Sequence, residues 1–77
     1  MKFAKKISSI HERLENLVVE MEEYIDTLEE RILELEDEEQ TKAIERKIEK
    51  LREQQEEVQE ALDEVQNACD YLSDYAE

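Results

Sequence analysis

Few side chains in this sequence could do chemistry: one cysteine, one histidine, a handful of hydroxyls and 24 carboxylates. A nucleophilic Cys69 would need a nearby cation to lower its pKa, but its neighbours are acidic, Asp70 among them. It falls on a heptad seam and reads as a small buried thiol. His11 lies between Ile10 and Glu12, with no second histidine at helical spacing to make a ligand pair. It reads as a solvated or rim side chain. Ser8 and Ser9 have no oxyanion loop or triad partners around them. The carboxylate clusters Glu20-Met21-Glu22-Glu23 and Glu36-Asp37-Glu38-Glu39 raise the question of divalent cations but read as solvated charge. A ferritin-like di-metal site needs inward glutamates with Glu-x-x-His motifs, and the inward positions here are aliphatic. No EF-hand loop is present. The expectation is a chain that is not an enzyme, with no catalytic residues, no metal and no cofactor.

The elements that carry these residues follow from composition. The 77 residues include no glycine, no proline and no tryptophan. Phosphate-cradling loops and most β-hairpins therefore lack their raw material. Ala, Glu, Lys, Leu and Arg make up more than half of the chain, a coiled-coil composition. A formal charge of −14 argues against direct binding to nucleic acid or anionic lipid. A chain this short seldom buries enough apolar surface to fold alone. One cysteine allows no internal disulfide, so self-association, most simply a homodimer, is the expected staple. Met1-Lys2-Phe3-Ala4-Lys5-Lys6 begins like a signal peptide but no apolar stretch follows, and the expected location is the cytoplasm.

Apolar spacing predicts an all-α protein, an antiparallel two-helix hairpin. Ile44, Ile48, Leu51, Gln55, Val58, Leu62, Val65, Cys69, Leu72 and Ala76 alternate steps of four and three. That is a heptad seam with one polar interruption at Gln55. In the first half, Ile7, Ile10, Leu14, Leu17, Met21, Ile25, Leu28, Ile32 and Leu35 follow the same rule, except for consecutive fours at Leu17–Met21–Ile25. Such a stutter locally relaxes the supercoil. Helix 1 is expected over about 3–36, a turn over about 37–41 and helix 2 over about 41–75. Asp37 with Gln40 has the form of a capping box, and Thr41 is the other candidate cap. The competitor is one unbroken helix of roughly 115 Å.

Charge selects antiparallel pairing. Residues 1–13 carry +3, 14–41 carry −11, 42–52 carry +3 and 53–77 carry −9. A parallel in-register dimer would lay each block on its own copy, which like-charge repulsion disfavours. Folding about a turn near residue 38 sets each basic block against an acidic one. In that register Ile32 meets Ile44, Leu28 meets Ile48, Ile25 meets Leu51 and Leu14 meets Leu62. A register half a heptad away fits nearly as well. A domain-swapped pair of long helices would make almost the same contacts.

A second stripe runs beside the seam: Leu17 and Tyr24 on helix 1, and Ala61, Ala68 and Tyr75 on helix 2. Helices that touch two neighbours need such a wider stripe. Two hairpins then dimerise into a four-helix bundle, with Leu17, Tyr24, Ala61, Ala68, Tyr71 and Tyr75 as the dimer or partner interface. Gln55 is expected to set register, as polar seam residues do. Tyr71 and Tyr75 share a face, either capping the bundle end beside Phe3 or anchoring a partner. The basic amphipathic start, Lys2 to Ile10, could lie on lipid, but the acidic C-terminal block offsets it.

The stretch Ala61-Leu62-Asp63-Glu64-Val65-Gln66-Asn67-Ala68-Cys69-Asp70-Tyr71-Leu72 resembles the ends of short acidic helical proteins encoded by bacteriophages and mobile elements. The resemblance extends to size and composition. It implies binding, and often inhibition, of a host or defence protein. Two functions are carried forward. One is a non-enzymatic protein-interaction module. The other is an acidic inhibitor that imitates DNA toward a nucleic-acid-binding protein.

Overall fold

Without glycine or proline, nothing interrupts helix propagation except the polar stretch between the two seams. The computed structural model describes residues 2–75, and side chains from residue 5 onward. Two helices make up the described fold, α1 (Lys2–Glu36) and α2 (Lys42–Ser73). They pack side by side as a hairpin 60 Å long and 15 by 12 Å across.

The turn is closed by side chains rather than by a left-handed residue. Past the end of α1, the Asp37 N–H donates to the Leu33 carbonyl and the Glu38 N–H to Leu35. The Gln40 amide then donates to the carbonyls of Leu35, Glu36 and Glu38 at 3.0, 3.2 and 2.9 Å. It thereby occupies acceptors that a C-cap glycine would ordinarily help to satisfy. Thr41 opens α2 in extended geometry, and its hydroxyl accepts from the Ile44 N–H at 3.2 Å. The Asp37–Gln40 capping box does not form, because the Asp37 N–H is bonded back to Leu33 and α2 begins only at Lys42. No described residue has positive φ.

Burial is deepest next to this turn. Leu28, Ile32 and Leu35 are buried, with Ile32 wholly inaccessible, and Leu62 and Cys69 are buried farther along. Completely burying a side chain such as Ile32 contributes roughly 1.5–3 kcal/mol.

Counting back from that triplet corrects the phase of α1. The inward line runs through Ile25, Met21, Val18, Leu14, His11 and Ile7, all partly or largely shielded. Ile10 and Leu17 are instead 39% and 40% exposed. Steps of four and three therefore persist throughout α1, and the expected stutter is absent. In the pairs Ile10-His11 and Leu17-Val18, the larger hydrophobe looked like the core residue. The phase fixed at Leu28–Ile32–Leu35 awards the core to the other member of each pair.

The cross-helix register lies about one full heptad from the primary expectation, beyond the half-heptad alternative. Gln55 reaches the Ile25 carbonyl and the Glu29 carboxylate, Arg52 pairs with Glu36, and Ile25 borders Gln59 and Leu62. Ile25 therefore sits farther toward the C-terminal end of α2 than the Ile25–Leu51 pairing required. The five-residue connection accounts for this, since it displaces α2 relative to a sharp fold at residue 38.

Candidate functional site

With the corrected phase, each helix has two flanks beside the seam. In an antiparallel pair the g positions of both helices fall on one side and the e positions on the other. The e side carries Glu15, Glu22, Glu29 and Glu36 from α1, and Glu45, Arg52, Gln59 and Gln66 from α2. The ion pair Arg52–Glu36, at 3.4 Å, ties the helices together on this side.

The g side differs. Ile10, Leu17 and Tyr24 recur at one-heptad spacing on α1, and Ala61, Ala68 and Tyr75 do so on α2. All six are exposed, as is Tyr71, which adjoins Tyr75 one turn away. The lining of two surface depressions fixes their levels along the rod. Glu15, Asn16, Val18 and Val19 lie beside Gln66, Cys69 and Asp70, and Ile25 beside Gln59 and Leu62. Leu17 is thus level with Ala68, and Tyr24 with Ala61. The sequence-derived interface residues do come together, on one flank. Two other exposed hydrophobes, Val19 and Leu33, lie away from it. Ile10 belongs to the flank and was missed, because the sequence reading placed it in the core. Its spacing of seven from Leu17 was the signal that could have found it.

Toward the turn this flank changes character. Arg31, Lys47 and Lys50 rim a depression of about 290 Å³ floored by Leu35 and Leu51. Arg31 is held by Glu34 at 3.1 Å. At the far end the rings of Tyr71 and Tyr75 are tilted at 45° with centroids 5.4 Å apart. The Tyr75 hydroxyl is pushed above its ordinary pKa, first by its hydrogen bond with Tyr71, then by burial and by Asp74. Any capping contact of this pair with Phe3 lies outside the described side chains.

Among the described residues, Gln55 is the seam position where a polar side chain is satisfied from across the hairpin. Its amide donates to Glu29 Oε2 at 2.8 Å, with the Ile25 carbonyl at 3.5 Å. This arrangement removes the cost of an unpaired polar group in the seam.

The residues with chemical potential take structural positions. Cys69 is buried, and burial foremost, then the charges of Glu15 and Asp70, raises its pKa above the usual thiol range. That is the reverse of what a thiolate nucleophile needs. His11 is not a rim residue as its sequence neighbours suggested. It occupies a seam position with its side chain 20% exposed, and its Nδ1 pairs with Glu15 at 3.0 Å. Among the described residues no group of three or more His, Cys, Asp or Glu side chains is placed to hold a metal ion. No described helix is long and apolar enough to cross a membrane. No protein-family model, curated protein or solved structure matches the chain.

Proposed function

We propose that the chain is a non-enzymatic protein-interaction module, an acidic coiled-coil hairpin that joins a second copy in a four-helix bundle and offers its carboxylate faces to a partner protein. The observation that carries this reading is the gathering of Ile10, Leu17, Tyr24, Ala61, Ala68, Tyr71 and Tyr75 on one flank. A two-helix hairpin needs only its seam, so a second apolar stripe is material for a further neighbour. Surface area supports the same conclusion. The hairpin exposes 6260 Å², whereas a compact monomer of 9.2 kDa exposes roughly 4,900 Å². The surplus exceeds the roughly 800 Å² that each partner contributes to a standard interface. Sedimentation equilibrium tests the reading. A species of twice 9.2 kDa is expected at micromolar concentration, and conversion to monomer by Leu17→Glu with helicity retained. A monomer throughout the accessible range would overturn self-association.

A second reading has its own support. From Glu53 to the end, the chain holds nine carboxylate side chains and no Lys or Arg. Duplex DNA carries one charge per about 1.7 Å and one strand one per about 3.4 Å, and this stretch, at about one per 4 Å, is nearer the single strand. In this reading the bundle occupies the DNA site of a nucleic-acid-binding protein. Pull-down from bacterial lysate with competing duplex DNA separates the two. Capture of a DNA-handling protein that DNA displaces places the inhibitor first, and capture indifferent to DNA removes mimicry.

A further inference from the structure

Resting on the self-association reading, we infer that the occupant of the apolar flank is a second copy of this chain laid antiparallel, with the two-fold axis passing beside Leu17. Ile10 and Tyr24 stand one heptad before and one heptad after Leu17 on the same face. A two-fold axis at Leu17, perpendicular to the rod, therefore brings Ile10 of each chain onto Tyr24 of the other. Ala68, level with Leu17, leaves room for the partner's leucine to approach. Ala61, level with Tyr24, is equally small. The large side chains that α1 contributes to the stripe, Ile10, Leu17 and Tyr24, are all covered in this one arrangement.

Charge decides the direction. On the outer edge of the same flank, Arg13 lies four residues before Leu17 and Glu20 lies three residues after it. Both are exposed. Antiparallel pairing sets each Arg13 against the partner's Glu20, twice per dimer. Parallel pairing, with its two-fold axis along the rod, would instead lay α1 on the partner's α2. Glu64, on α2 near the level of Glu20, would then face the partner's Glu20, twice per dimer. The basic group Arg31, Lys47 and Lys50 is also kept apart from its own copy in the antiparallel form. Like charges brought together across an interface select against that partner geometry.

Disulfide trapping reads the orientation directly. In a Cys69→Ser background, chains bearing Ile10→Cys or Tyr24→Cys are oxidised separately and as a mixture. The antiparallel dimer predicts cross-linking in the mixture and little in either variant alone. Cross-linking of each variant with itself, equal to or above the mixture, would overturn the proposal. So would a sedimentation dimer that yields no cross-link in any combination, although that result leaves self-association standing. A monomer by sedimentation removes both. An independent measurement is charge reversal: Arg13→Glu or Glu20→Arg alone is expected to weaken the dimer about tenfold, and the double reversal to restore it. Failure of the double variant to recover, with helicity intact, counts against the antiparallel pairing.

Discussion

Cys69 and Gln55, like His11, are seam residues whose chemistry departs from hydrocarbon packing, and each of the first two makes a distinct prediction. The folded state holds the Cys69 thiol above its ordinary value of 9.0, chiefly through burial. A group whose pKa is raised by folding favours the folded state fully below its unfolded pKa. That advantage is lost as pH rises through the folded value. Thermal stability is therefore expected to fall above about pH 9, with a shallower fall in Cys69→Ala, as followed by circular dichroism across a pH series. Thiol labelling at pH 8 should be slow in the native protein and fast in denaturant. Gln55→Leu should raise the melting temperature by about 4–8 °C, on the scale of roughly 1 kcal/mol for a domain of this size. It should also blur the register, since the link to Glu29 is lost. The measurement is sedimentation, where a mixture of species is expected, and a single unchanged species would remove the register role.

At the scale of the elements, a glycine-free turn depends on two polar side chains. Gln40→Ala leaves three backbone carbonyls without the amide that serves them, and Thr41→Ala removes the first cap of α2. Each is expected to cost about 1 kcal/mol, measured as a shift in the thermal midpoint. The two helices and the turn were legible in the sequence because steps of three and four persist on either side of a polar gap. The role of Gln40 was not, because a side chain folding back onto the preceding helix leaves no periodic trace. The phase of α1 was hidden for a different reason. At Ile10-His11 and Leu17-Val18 two neighbours competed for one inward position, and only packing against α2 could choose between them. Register was equally open, since a heptad pattern repeats and a slide of one whole heptad sets the same kinds of seam position against each other again. That the residues of the stripe share one flank was legible through heptad spacing alone, without either correction. Leu17 was placed on the stripe even while it was counted in the seam.

For the whole molecule, a charge of −14 spread over a thin rod opposes its own compaction. Raising sodium chloride from low to about 0.5 M should raise the melting temperature, because the Debye length shrinks below the separation of most exposed carboxylates. In the dimer reading the midpoint should also climb with protein concentration, as mass action requires. Both effects are read in one matrix of salt and concentration. The rod's proportions, 60 Å by 15 Å by 12 Å, bear on how that oligomer is weighed. An elongated particle drags more solvent than a sphere of equal mass and tumbles slowly about its short axes. On a gel-filtration column calibrated with spherical standards, a single hairpin elutes ahead of its mass and imitates an assembly. Pairing two such rods side by side thickens the particle without lengthening it in proportion, so doubling the mass lowers the frictional ratio. Elution volume alone thus confuses the two states, whereas light scattering or sedimentation equilibrium weighs them without reference to shape.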